Sequence, residues 1–198
     1  RWLQYALFTP LFRNHSANGT RMQELYRFDT LHAAGEMVKI RYCLIPYLYS
    51  EFLKAALRDD MMFKPLAFDF PADHMAKETE DQLLIGDELM IAPVYKQNAR
   101  GRYVYLPEEM MLVRMQTWDQ IHTEILPKGH HYVDIALEEL VFFIRQQKAI
   151  PFGRPARNTD CIDHSALQLL GYPDCTYELY ADNGISPEPE TSLSITTL

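Results

Sequence analysis

The sequence predicts a helical segment followed by an all-β, antiparallel sandwich, and three observations carry that prediction. The apolar pattern changes period near residue 60, from helical to strand-like. Beyond that point short β-rich runs recur at roughly 8 to 15 residues, with Gly, Pro and Asn at the joints. With 47% hydrophobic and 12% aromatic residues among 198, the chain is of the globular kind.

The elements follow in order. Trp2 to Phe8 reads as the body of a helix that stops before Pro10. Next comes the polar stretch "FRNHSANGTRMQELYRF", which gathers Arg13, Asn14 and His15 between two apolar segments. Asp29 can cap a longer helix from about Leu31 to about Leu57, and Pro46 inside it should bend it or free a carbonyl. Met37, Val38, Ile40, Cys43, Leu44, Ile45, Tyr47, Leu48, Phe52 and Leu53 do not share one narrow stripe, the mark of a helix buried on most sides. After residue 60 the runs "PLAFDF", "LMIAPVY", "RYVYLP", "LVRM", "TEIL", "HYVDIAL", "LVFFIR", "LQLLGY" and "YELYAD" read as strands, with "ADNG" as a turn. The last stretch, "SPEPETSLSITTL", reads as a loop and a strand begun but not finished. Two apolar helices and a polar loop cannot cover one another's apolar surface, so residues 1 to 60 are expected to belong to a larger domain. The opening "RWLQYALF" is already within a helical pattern and reads as a cut.

Charge and cysteines bound the partners. Nineteen Lys and Arg against 27 Asp and Glu give a net charge of -8, which argues against nucleic acid. No basic run suggests a membrane surface, and the apolar runs fall far short of the roughly 20 residues that cross a bilayer. Cys43, Cys161 and Cys175 are odd in number and widely spaced, which fits a reducing compartment, taken as the bacterial cytoplasm. No cofactor is expected. His130 and His131 are adjacent on a strand and point to opposite faces, so they do not form a metal pair. The acid pairs Asp59-Asp60, Glu108-Glu109 and Glu138-Glu139 sit at helix ends or turns, where solvated charge is the ordinary reading.

The runs "RWLQYALFTPLFRNH", "IRYCLIPYLYSEF", "KPLAFDFP", "EDQLLIGDELMIAPV", "GRYVYLPE", "HYVDIALEELVFFIRQQKAIP" and "YELYADNG" come in one order along the whole chain. In that order they resemble the C-terminal part of glycoside hydrolase family 31, whose members include α-glucosidases and α-xylosidases. "DDMMFKPLAF" and "APVYKQNARGRYVYLPEEM" look most like bacterial α-glucosidases. The resemblance implies the last part of a (β/α)8 barrel over 1–60, as helix, strand and helix, with "LFRNH" as the eighth strand. It then implies a proximal β-sandwich domain over 61–150, and over 151–198 the end of that domain and the start of a following segment.

The implied activity is retaining hydrolysis of terminal α-linked glucose from oligosaccharides. An α-xylosidase of the same family, or a non-catalytic carbohydrate-binding or scaffolding module, stand as alternatives. A barrel's site lies at the C-terminal ends of its strands, where "RNH" would fall. By resemblance His15 hydrogen-bonds hydroxyls of the bound sugar, and a neutral imidazole can both donate and accept. Arg13 braces the loop, with Glu24 as its candidate partner. The family shows Glu-Pro-aromatic where this chain has Glu24-Leu25-Tyr26. The nucleophile and the acid/base come from earlier strands, upstream of Arg1, so the chain alone is expected to be inactive. Its partners are the oligosaccharide and the remainder of the barrel.

Overall fold

In the computed structural model, which describes residues 1–182, 185 and 191–196, a six-stranded antiparallel sheet is the organising element. Its strands are β1 (Phe63–Pro65), β2 (Leu83–Ile85), β3 (Leu89–Ile91), β5 (Met110–Met115), β6 (Ile121–Leu126) and β8 (Leu140–Arg145), in the order β1-β2-β3-β8-β5-β6. Three two-stranded ribbons complete the β part. They pair β4 (Gly101–Leu106) with β7 (Gly129–Asp134), β9 (Ala149–Phe152) with β10 (Gln168–Gly171), and β11 (Thr176–Ala181) with β12 (Thr191–Thr196). The Asn183-Gly184 half of the expected turn lies outside the described residues.

The middle of the central sheet, β3, β8 and β5, is apolar on both faces because both are covered. Leu140, Phe142 and Ile144 of β8 and Met111, Val113 and Met115 of β5 enter one core. Their neighbours Phe143, Met110 and Leu112 enter another, under the β4–β7 ribbon with Val104, Leu106 and Val133. Alternate residues of a strand point to opposite faces, so a strand covered twice reads as one continuous apolar run such as "LVFFI".

The first core is completed by the helices. α1 (Trp2–Ala6) is shorter than expected, and Leu7, Phe8 and Thr9 continue it as a tightening turn, the amides of Phe8 and Thr9 donating to Tyr5 and Ala6. Phe8 packs edge-on against Phe142, with ring centroids 5.8 Å apart. The long helix α2 (Leu31–Arg58) has its N-cap at Thr30 rather than Asp29. It runs through Pro46 without a break. Proline lacks the N–H that would bind the Tyr42 carbonyl and disturbs that turn. There the Cys43 carbonyl takes the amide of Gly153 at 2.9 Å, tying the helix to the segment after β9. Ser50 Oγ donates to the Pro46 carbonyl at 2.8 Å and accepts from the Tyr180 amide at 2.9 Å. α2 is buried along one side, through Met37, Ile40, Leu44, Tyr47 and Leu48. Its other flank leaves Phe52 and Leu57 exposed, so the helix expected to be buried on most sides has an uncovered face in this chain.

Three further readings change. "LFRNH" carries no strand assignment: a strand is made by its neighbours, and residues 11–17 pair with none among the described residues. "PLAFDF" is not a strand beyond Pro65; Leu66 and Phe70 stand four apart and close the helical turn α3 (Leu66–Asp69), with the Phe70 amide donating to the Leu66 carbonyl at 3.0 Å. "AIPF" is a strand despite its proline, because β9 has one ladder only and Pro151 is spared a donor there. A further short helix, α4 (His74–Glu78), is capped by Asp73, whose carboxylate accepts from the amides of Met75 and Ala76.

Candidate functional site

The polar stretch forms an exposed loop between α1 and α2. Gly19 has φ +78, the left-handed conformation that glycine adopts without strain, and turns the chain over residues 17–20. The Thr20 amide and hydroxyl both return to the Ala17 carbonyl, at 3.2 and 2.6 Å. Asn14 Nδ2 donates to the Gln23 carbonyl at 2.9 Å and closes the neck of the loop. His15 lies beside Asn14 and is exposed, its Nδ1 3.0 Å from Arg13 Nη2. A guanidinium can only donate, so Nδ1 accepts, and the neutral ring carries its proton on Nε2. That nitrogen is left to donate to a ligand.

Arg13 and Glu24 are not the pair expected. Arg13 meets the His15 ring, while Glu24 Oε2 lies 3.5 Å from Arg27 Nε three residues on. The reason is local. A three-residue 3-10 turn over Leu25–Arg27 brings positions 24 and 27 onto one side, and the guanidinium of Arg27 also lies over Tyr26.

The residue that holds this region to the scaffold is Arg41, which sequence reasoning passed over. From α2 its Nη1 donates to the carbonyls of Leu7 and Thr9 at 2.5 and 2.7 Å, and its guanidinium lies 5.6 Å from the Phe12 ring centroid. It thus fixes the chain just before Arg13 and His15. An arginine within an apolar helix is the signal that could have marked it.

Under the same helix lies a buried polar cluster. Glu51 accepts from Lys54 Nζ and from the Tyr177 hydroxyl, each at 2.6 Å. Glu88, in the turn between β2 and β3, accepts from the Asp87 amide at 3.2 Å. The Tyr47 hydroxyl donates to the Ile85 carbonyl, and its oxygen lies 3.3 Å from Glu88 Oε2. Burial, and then the neighbouring Glu51 carboxylate, raise the Glu88 carboxyl to about 7. Burial keeps the hydroxyls of Tyr47 and Tyr177 protonated far above the ordinary range. Gly86 makes room for the cluster: with φ +61, a Cβ there would overlap the Glu51 carboxylate, 2.5 Å from its carbon. The signal in sequence was Glu51 at a position the helical pattern buries.

The acid pairs serve structure. Glu108 binds Arg145 at 2.7 Å, Glu139 binds Arg114 at 3.0 Å, and Asp59 ends α2 in the left-handed conformation. His131 contacts the Pro127 carbonyl at 2.7 Å, and His130 lies against the Tyr105 ring. Among the described residues no three His, Cys, Asp or Glu side chains are grouped to hold a metal, and no helix is long and apolar enough to cross a membrane.

The scaffold and loop have known counterparts. Residues 1–51 match the model of the glycosyl hydrolases family 31 TIM-barrel domain, and residues 59–150 that of the family 31 C-terminal domain. α-Glucosidase 2 of Bacillus thermoamyloliquefaciens is 32% identical over 93% of this chain and 23% of its own length. An α-glucosidase of Schizosaccharomyces pombe is 29% identical over 98% of this chain and 21% of its own. The crystal structure of a family 31 α-xylosidase from Xanthomonas citri superposes with a TM-score of 0.75 and 25% identity, over 92% of this chain and 20% of that one. The chain thus spans about a fifth of the length of the curated relatives it matches.

Proposed function

We propose, from the premise that the chain belongs to glycosyl hydrolase family 31, that the protein of which it forms part releases terminal α-linked glucose from oligosaccharides with retention of configuration. The observation that carries this reading is the 32% identity to a named α-glucosidase along 93% of the chain. Retention requires two carboxylates about 5 Å apart, a nucleophile and an acid/base. In this reading both lie on barrel strands outside this chain, while Glu108 and Glu139 of the acid pairs are bound to Arg145 and Arg114. The chain by itself is then inactive. Its contribution is one wall of the sugar pocket and the β domain that supports the last barrel helix.

His15 is the proposed sugar contact. Its Nδ1 is held by Arg13, so Nε2 offers one directed donor to a sugar hydroxyl. Arg13 and Asn14 are positioning residues, one for the ring and one for the neck of the loop. Glu24 acts on the loop only through Arg27. The proposed compartment is a bacterial cytoplasm, on the cysteine usage alone.

The test is turnover of aryl α-glucoside and aryl α-xyloside side by side by the full-length protein. Glucoside preference is expected, with His15→Ala lowering kcat/KM about a hundredfold and His15→Gln, which can still donate, restoring part of it. Xyloside preference would favour the second reading, which rests on the superposition with the Xanthomonas citri enzyme. Turnover of neither, or an unchanged His15→Ala variant, would refute the assignment.

A further inference from the structure

The outer face of the β4–β7 ribbon carries large aromatic rings that remain exposed among the described residues. Tyr103 and Tyr132 are directly paired across the ribbon, with ring centroids 5.0 Å apart at 69°. Tyr103 is 72% exposed, Tyr132 53% and the nearby Tyr95 49%. Scattered exposed aromatics need no explanation, but three around one depression do. They line a cleft of about 300 Å³ with Asp81, Lys96 and Arg102. A second hollow of similar size continues from it, sharing Asp81, Tyr95, Arg102 and Tyr103 and reaching His130.

The polar groups of this cleft are fixed in place. Arg102 Nη2 lies 2.6 Å from Asp81 Oδ1, while its Nη1 donates to the carbonyls of Asp81 and Pro93 and its Nε to that of Tyr103. The Tyr95 hydroxyl donates to Asp81 Oδ2 at 3.0 Å, and the guanidinium lies over the Tyr95 ring. Each oxygen of a carboxylate can accept two hydrogen bonds. Asp81 is half-exposed and spends one acceptor on each partner, so both of its oxygens retain capacity toward the cleft. Asp81 is charge-paired with Arg102, so the cleft sets a held carboxylate and the Tyr95 and Tyr132 hydroxyls beside aromatic faces. Pockets of about 300 Å³ suit small ligands held by apolar walls and a few directed polar groups. A neutral saccharide has that mixed character, with C–H faces for the rings and hydroxyls for Asp81, Tyr95 and Tyr132.

We propose that this cleft is an accessory saccharide-binding site, one that holds a glucan chain on the β domain apart from the loop carrying His15. The inference rests on the proposed substrate class. It concerns residues that have no part in the pocket wall. Lys96, exposed at the rim, and the two linked hollows suit more than one sugar unit.

The experiment is native gel electrophoresis of the full-length protein through soluble starch or dextran, beside turnover of a small aryl α-glucoside. Tyr103→Thr/Tyr132→Thr is the informative variant, since threonine keeps strand preference at exposed positions. Retardation of the unaltered protein by one of the polymers is expected. The double variant is expected to lose it, through an apparent Kd raised by about tenfold or more, with aryl glucoside turnover unchanged. No retardation of the unaltered protein, or equal retardation of the variant, would overturn the proposal. Joint loss of retardation and turnover would assign the binding to the pocket and overturn it as well. Absence of turnover with retardation that depends on Tyr103 and Tyr132 would sink only the proposed activity.

Discussion

Replacing Glu88 by glutamine isolates the electrostatics of the helix–sheet junction. Glu88 is buried in the β2–β3 turn, where α2 presents Glu51, Tyr47 and Lys54, β11 presents Tyr177, and Lys148 approaches from the turn after β8 at 3.8 Å. Lys54 is engaged by Glu51, and Lys148 is half-exposed and not in close contact, so neither fully offsets a charge on Glu88. The fold therefore favours the protonated carboxyl, and its titration rises from the ordinary 4.5 to about 7. At about 1.4 kcal/mol for each pH unit, that rise corresponds to about 3 kcal/mol. The sign follows from the direction. Between 4.5 and about 7 the native state holds a proton that the unfolded chain has released. Stability from this residue is therefore whole below 4.5, declines as pH rises, and is gone above about 7. Glutamine keeps the shape without the charge. Urea unfolding, followed through Trp118, which packs against the helix-side core, should show Glu88→Gln more stable by about 1–3 kcal/mol at about pH 8. Near pH 4.5 the two proteins should agree. Parallel stability curves across that range, or a variant less stable at high pH, would show that Lys148 and Lys54 compensate the charge and that the argument is wrong.

Three other perturbations test separate parts of the scaffold. Gly86→Ala should cost at least about 1–2 kcal/mol, because the left-handed turn and the Glu51 carboxylate both oppose a Cβ; chemical denaturation measures it, and a neutral result would mean the carboxylate moves freely. Arg41→Ala should lower kcat/KM on an aryl α-glucoside about tenfold or more while leaving the unfolding midpoint less affected, since it frees the chain before His15 from the carbonyl contacts on Leu7 and Thr9. A double-mutant cycle on Phe8→Leu and Phe142→Leu should give a coupling of about 0.5–1.5 kcal/mol, read from unfolding midpoints; additive effects would mean that α1 is not held by the central sheet.

Much of the architecture was legible because it is written in local pattern. The change of period near residue 60 separates α2, which ends at Arg58, from β1, which begins at Phe63. Alternation and turn residues located β3, β4, β5, β6, β7, β8, β10 and β11. The errors also have local causes. In "PLAFDF" an i, i+4 pair of Leu66 and Phe70 mimicked strand alternation, and in "AIPF" a proline hid a strand whose edge needs no donor there.

Of the candidate site, the sequence by itself placed Arg13, Asn14 and His15 in one polar stretch before the Gly19 turn, and the ordered motifs marked the family. Only the tertiary structure decided their partners. It gave Arg13 to the His15 ring, Glu24 to Arg27, and the loop's anchor to Arg41. It also brought Glu51 against Gly86 beside Glu88, and Asp81 against Arg102. Periodicity reports which face of an element is apolar, and that is settled within a few residues. A polar contact depends on which distant carbonyl or carboxylate the packing brings within 3 Å or so, and no local pattern encodes that.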